Sequence, residues 1–302
     1  MFRLLSKETN IFSIPTYVGV LLAIMLFINV FHISFLSIFS SIFAFLGLTF
    51  GYILFNKMAL NRQSHLPLFL YTIFILAFYK APLDIGISIT LFANSILLFL
   101  LTDDDPRYNE NSYFLIGSLL GINFIFLPTM WALVIFVLLH IISVSDHILS
   151  NIFKLVFGIG FVFLGYFCLM YFLGMNEINE DYIPLISNDF TSDFSELYFL
   201  IPILIFTILA IFDHFLHFNE KSPRSKFKYS FILAFLFAQC LIISFYMGEN
   251  EEYLLLTTFP ISIILSRFLR FLKKSWLQEV GFWIIVISCL YAIKSNLIFT
   301  LL

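Results

Sequence analysis

The sequence predicts an all-α fold, a polytopic bundle of about eleven transmembrane helices that forms a single membrane domain over residues 1–302. Composition is the first reason, because 61% of the residues are hydrophobic and only 12% are charged, too few for a soluble domain of this length. Segment length is the second, since the apolar stretches match the roughly 20 residues with which a helix crosses a bilayer. The third is charge, because Lys and Arg concentrate in alternate loops, as the positive-inside rule requires.

Eleven apolar segments, which are the predicted spans, lie along the chain with polar or proline-containing breaks between them. They are, in order, 13–31, 35–55, 66–79, 85–101, 113–127, 129–145, 150–174, 197–217, 229–247, 253–270 and 277–298. The first follows Arg3 and Lys7 and is opened by Pro15, and no small-residue cleavage site comes after it. We therefore interpret it as an uncleaved span and not as a signal peptide.

Two stretches, 66–101 and 113–145, each fit either one long helix or two short helices. As one helix, either stretch would reach roughly 50 Å, whereas the bilayer core is about 30 Å thick. Charge also favours two helices, because eleven spans with a cytoplasmic N-terminus leave only Lys80 and Lys294 of the 16 basic residues outside. Merging one pair would export the basic cluster 221–228. The sequence thus predicts an external C-terminus and a multi-pass protein of the bacterial cytoplasmic (inner) membrane.

Composition also excludes several classes of partner and site. The net charge of −3 leaves no basic surface for a phosphate backbone, so we expect no nucleic-acid partner and a lipid bilayer instead. Cys168, Cys240 and Cys289 all lie in apolar segments without metal-ligand spacing. Asp213 and His217 share one helix face at i and i+4, but no third ligand accompanies them, so no metal site is predicted.

The predicted external side is strongly acidic, mainly in loop 175–196 and turn 248–252. The candidate binding residues are Glu177, Glu180, Asp181, Glu249, Glu251 and Glu252. Carboxylates such as these could bind a divalent cation, since hard cations prefer oxygen ligands, or could simply be solvated. The same loop carries Ile183, Leu185, Ile186 and Phe190. These apolar residues predict a loop that packs on the bundle or on a partner membrane protein.

Asp84 is the candidate catalytic residue, because it begins a predicted span beside Pro82 at the membrane boundary. A carboxylate in such a place can have its pKa adjusted for general-base work. Lys80 lies four residues earlier, so the two side chains would face each other if the helix reached that far. The alternative to catalysis is an ordinary ion pair of Asp84 with Lys80 at the helix ends.

Two motifs carry a family resemblance. The stretch Gly117-Ser-Leu-Leu-Gly121-Ile-Asn-Phe-Ile-Phe-Leu-Pro128 resembles the middle of GT-C-type membrane glycosyltransferases. The run Glu252-Tyr-Leu-Leu-Leu-Thr-Thr-Phe-Pro260, followed by Arg267 and Arg270, is similar to their later spans. The Gly117 and Gly121 pair also forms a GxxxG motif, which predicts close helix packing.

The resemblance implies sugar transfer from a polyprenyl-phosphate lipid at the external face. GT-C enzymes generally carry a catalytic acid in the first external loop, whereas this chain has His32 there and Asp84 in the second external loop. Overall the chain also resembles a flavobacterial-type inner-membrane family with no assigned activity.

Three hypotheses about function remain open. The protein is a GT-C-like glycosyltransferase of the cell envelope with Asp84 as base, or a non-catalytic subunit or scaffold of an envelope complex, with loop 175–196 as its docking surface. A transporter is disfavoured, because no ionisable residue lies clearly mid-span and no pair of repeats is visible.

Overall fold

The computed structural model describes residues 1–10, 12–30, 34–58, 64–102, 106–174, 195–248 and 250–301. The regular secondary structure of this part of the chain is helical, apart from one isolated β-bridge between Glu8 and Ser64. The helices are α1 (Phe2–Leu5), α2 (Ser13–Asn29), α3 (Phe35–Lys57), α4 (His65–Phe78), α5 (Ile85–Leu101), α6 (Pro106–Phe126), α7 (Ala132–Val144), α8 (Ile148–Phe172), α9 (Ile201–Leu216), α10 (Pro223–Tyr246), α11 (Thr258–Phe271) and α12 (Ser275–Leu301). Short 3₁₀ turns precede three of them, namely Pro128–Trp131, Ser195–Leu200 and Glu251–Thr257.

Helices α2–α12 fall on the predicted apolar segments in order. Six helical segments of the described chain are long and apolar enough to cross a membrane, and they are Phe35–Lys57, Ile148–Phe172, Leu197–Leu216, Pro223–Tyr246, Glu251–Phe271 and Ser275–Lys294. The other apolar helices are shorter, at 10–17 residues. The prediction of an all-helical, multi-pass membrane protein is confirmed, and the number of spans stays a prediction.

Both stretches that could have been single long helices are broken at the predicted places. Helix α4 ends at Phe78 and α5 begins only at Ile85. Helix α6 ends at Phe126, and Leu127 then adopts a non-helical backbone (φ −145°, ψ 83°) before the turn that begins at Pro128. A residue before proline is biased away from helical conformation, which accounts for this second break.

The close approach predicted from the glycines of α6 is present, and α8 is the partner helix. A Cβ added at Gly117 would collide with the carbonyl oxygen of Leu155, and one added at Gly158 would collide with that of Phe114. Helix α8 packs mainly along α6 and exposes Phe153, Phe161 and other large apolar side chains on its outer face. In a bilayer such a face is compatible with lipid, and the small residues allow the van der Waals contact that holds membrane helices together.

Charged residues divide the bundle into two ends. Lys228 donates from Nζ to the carbonyl oxygen of Lys57 at 2.6 Å, which joins the start of α10 to the end of α3. The N-terminal amine lies 3.2 Å from Glu279 near the start of α12. The bridge between Glu8 and Ser64 holds the N-terminal segment beside the start of α4, so the N-terminus lies at this same end, which we call the basic end. The acidic end is opposite and holds the α4–α5 connection and the 3₁₀ turn before α11. It contains Asp84, Glu251 and Glu252.

Candidate functional site

Asp84 at the acidic end is the N-cap of α5. Its Oδ1 accepts hydrogen bonds from the backbone N–H groups of Gly86 at 2.6 Å and Ile87 at 3.2 Å. The first N–H groups of a helix have no partner within the helix, so a carboxylate there satisfies donors and interacts favourably with the helix dipole. The side chain is exposed, and its Oδ2 forms no hydrogen bond with any described residue. One oxygen of Asp84 is therefore structural, and the other is free to meet a ligand.

The predicted pairing of Lys80 with Asp84 is wrong. It required a helix from 80 to 84, but α4 ends at Phe78 and the connection 79–84 is not helical. Lys80 instead lies 3.0 Å from Oε2 of Glu251, in the turn before α11. The Glu251 side chain is 14% exposed and that of Lys80 is 36% exposed, so this is a partly shielded ion pair. It joins two connections that are far apart in the sequence.

Glu252 fastens the same two connections a second time. Its Oε2 accepts a hydrogen bond from the backbone N–H of Asp84 at 3.0 Å. Its own backbone N–H donates to Oδ1 of Asn250 at 3.1 Å, which caps the 3₁₀ turn. The acidic cluster, by which we mean Asp84, Glu251 and Glu252, thus holds the start of α5 against the turn before α11, and Lys80 supplies its cation.

Two hydroxyl networks fix the α4–α5 connection on its other sides. Ser40 of α3 donates to the carbonyl oxygen of Leu83 at 2.6 Å and lies 2.5 Å from Oγ of Ser88. Tyr79 accepts a hydrogen bond from Nδ2 of Asn29 on α2 at 2.8 Å. The backbone that presents Asp84 is therefore held by α2, α3 and the turn before α11, which gives the free carboxylate oxygen a defined position.

The other predicted binding residues lie outside the described residues. They are Glu177, Glu180, Asp181 and Glu249, together with the apolar residues Ile183, Leu185, Ile186 and Phe190 of the same loop and His32 of the first loop. In the ranges that the structure does describe, no three His, Cys, Asp or Glu side chains are grouped as metal ligands. The divalent cation stays a prediction.

Sequence reasoning missed a second polar cluster, at the basic end. Lys221, Arg267 and His214 come together around the ring of Tyr229, where the loop after α9 meets the last turns of α11. Asp213 and His217, in contrast, form the i,i+4 pair that the sequence indicated, at 3.1 Å. Sequence reasoning used Lys221 for the cytoplasmic side, and used Arg267 for that side and for the GT-C resemblance. The signal was Arg267 within the predicted span 253–270, because an ionisable residue inside a span marks a functional hypothesis.

Comparisons with known proteins give a family and no activity. No curated protein and no solved structure matches the chain. One family model matches residues 1–299, which is almost the whole length. The chain therefore belongs to this family, which is described as a family of unknown function (DUF6427).

Proposed function

We propose that the protein is a non-catalytic subunit or scaffold of a larger complex in the bacterial cell envelope, resident in the cytoplasmic membrane. The observation that carries the proposal is that the residues of the acidic cluster make structural contacts within the fold. Asp84 caps α5, Glu251 pairs with Lys80, and Glu252 accepts the N–H of Asp84. Each described carboxylate nominated for chemistry or binding thus has a structural task, because Asp84 caps α5 with one oxygen while Glu251 and Glu252 join two connections.

The assembly itself can be tested on the native protein. Membranes solubilised in a mild detergent should contain the full chain in a complex much larger than its own 35.2 kDa plus a detergent micelle. Photo-crosslinkers placed in loop 175–196 should capture one defined neighbour, because this loop is the predicted docking surface. A chain that migrates alone at every detergent concentration, with no crosslinked product, would contradict the proposal.

A second candidate is the GT-C-like glycosyltransferase, and one observation favours it. Asp84 keeps an exposed oxygen that is unpartnered among the described residues, in a backbone fixed from several sides. As a base it would take the proton of an acceptor hydroxyl while the new bond to the sugar C1 forms. The bond from C1 to the polyprenyl-phosphate oxygen breaks, and the phosphate leaves with the electron pair. A divalent cation held by the acidic loops would stabilise that leaving group.

Replacing Asp84 separates the two functions. Asn is as good an N-cap as Asp, but it cannot act as a base. In a deletion strain, Asp84→Asn at normal abundance should therefore restore a wild-type envelope if the role is structural. Loss of an envelope glycan at normal protein abundance would transfer the assignment to the transferase. Ser34→Ala is the control for loss of stability alone, because it removes the N-cap of α3 and leaves the carboxylate of Asp84 in place.

A further inference from the structure

The polar cluster at the basic end, consisting of Lys221, Arg267, His214 and Tyr229, is assembled by three helices. The rings of His214 on α9 and Tyr229 on α10 are stacked, with their centroids 3.9 Å apart. The guanidinium carbon of Arg267 on α11 lies 4.7 Å from the centroid of Tyr229, and Nζ of Lys221 lies 5.9 Å from it. Three nitrogen-bearing side chains therefore surround one aromatic ring.

Two buried nitrogen atoms of this cluster have no hydrogen-bond partner within the described chain. Lys221 donates from Nζ to Nδ1 of His214 at 3.1 Å, which assigns the imidazole proton to Nε2. That Nε2 is buried and unpartnered, on a side chain only 1% exposed. Nη2 of Arg267 donates to Ser225 at 3.3 Å, but Nη1 is buried and unpartnered as well. Both atoms are donors, and a buried donor without an acceptor is costly, so the site calls for an acceptor-rich group.

The positive charge of the cluster is also poorly compensated. Within the described residues neither Lys221 nor Arg267 forms an ion pair with a carboxylate. Asp213 is near enough to interact with both, but its carboxylate is paired with His217 at 3.1 Å. Burial, and then the nearby cation of Arg267, lower the pKa of Lys221. Adding an anion would relieve the repulsion between these two cations.

We propose that this cluster binds a phosphate group, and that the phosphate is the headgroup of an anionic membrane lipid. Phosphate oxygens match the donors of a guanidinium and an ammonium group, and basic pockets between helices at the cytoplasmic side suit such headgroups. The lipid source is favoured by what lies beside the cluster. Phe215 and Leu216 at the end of α9 are 60% and 80% exposed, an apolar surface against which acyl chains can lie. The inference does not depend on whether the protein is a subunit or a transferase.

The test is ligand-dependent stability of the purified full chain in detergent. Phosphatidylglycerol should raise its melting temperature in a saturable way, inorganic phosphate should do so much more weakly, and phosphatidylcholine should not. Lys221→Gln and Arg267→Gln should each weaken the apparent affinity for phosphatidylglycerol roughly ten- to a hundred-fold, as expected for a lost hydrogen bond to a charged group. Lys273→Gln is the matched control, because it removes an exposed cation from the same end. It should respond like the wild type.

Three results would overturn the proposal. The first is a phosphatidylglycerol response equal in Lys221→Gln, Arg267→Gln and the wild type, and the second is no response in any of them. Equal losses in Lys273→Gln and the cluster variants would show general surface attraction instead of a site. A response to inorganic phosphate as strong as to the lipid would keep the phosphate site but refute the lipid source. Lys221 lies in a loop, so its variant tests the site even if Arg267→Gln does not fold.

Discussion

The N-cap role of Asp84 makes a quantitative prediction about stability. Asp84→Ala removes both hydrogen bonds that Oδ1 accepts, from Gly86 at 2.6 Å and Ile87 at 3.2 Å. Loss of an N-cap side chain costs roughly 0.5–2 kcal/mol, and we expect about 1 kcal/mol because the second bond is long. Asp84→Asn keeps an acceptor in the same place. It loses only the charge at the helix N-terminus, which is worth about 0.3–1 kcal/mol at an exposed site.

Part of that charge effect is offset within the acidic cluster. The carboxylate of Glu252 lies against the backbone N–H of Asp84, so the two negative charges repel each other. We therefore expect Asp84→Asn to cost about 0.5 kcal/mol or less. Unfolding in mixed micelles by added SDS, followed by the fluorescence of the three Trp residues, measures both variants against the wild type.

Ser34→Ala is the matched control, because Ser34 caps α3 by accepting from the N–H of Ser37 at 3.1 Å. It should cost about 1 kcal/mol without removing any hydrogen bond or ion pair of the acidic cluster. The reasoning is refuted if Asp84→Ala is as stable as the wild type. It is also refuted if Asp84→Asn is as unstable as Asp84→Ala, since the charge and not the cap would then dominate.

Further predictions concern packing and pairing. Gly117→Ala on α6 should destabilise by about 1–3 kcal/mol, because the new Cβ meets the backbone of α8, whereas Gly160→Ala has open space and should be neutral. If the unfolding curves of Gly117→Ala and Gly160→Ala coincided, the packing of α6 against α8 would not explain the effect of Gly117→Ala. A double-mutant cycle between Lys80 and Glu251 should give a coupling of up to about 1 kcal/mol, discounted because Lys80 is partly exposed. The cycle between Lys80 and Asp84 should give a smaller coupling energy. A larger coupling for Lys80 with Asp84 than with Glu251 would instead support the pairing that the sequence suggested.

Local signals in the sequence were sufficient to predict the apolar part of each helix from α2 to α12 and the two breaks near proline. They did not predict every boundary, since α6 begins at Pro106 and not at residue 113. Pro128 and the polar connection around Pro82 interrupt apolar stretches, and both interruptions are where the structure ends one helix and begins the next. The glycine spacing of α6 likewise predicted a close contact, because two glycines on one face allow close approach of whichever helix packs there. It did not predict that the neighbour would be α8, since partner choice depends on the packing of the whole bundle.

Contacts between distant segments account for what the sequence could not predict. The Lys80–Asp84 pair was inferred from i,i+4 spacing, which holds only inside a continuous helix, and the real partner Glu251 comes from a connection late in the chain. Arg267 lies within the predicted span 253–270, where hydropathy does not single it out because it averages over a window. Its burial against Tyr229 arises only when α10 and α11 pack together. A single sequence marks Arg267 as an ionisable residue within a span, but it contains no signal for the partner that Arg267 or Lys80 contacts.

The central claim is that the protein crosses the membrane several times, with its acidic end external and its basic end cytoplasmic. Reporter fusions at residues 185 and 222 test it most directly, because loop 175–196 and the loop before α10 lie on opposite sides of the predicted membrane. The account predicts an external reporter at 185 and a cytoplasmic reporter at 222, from the distribution of Lys and Arg. A cytoplasmic reporter at 185, or an external one at 222, would contradict the eleven-span topology and the assignment of the two ends.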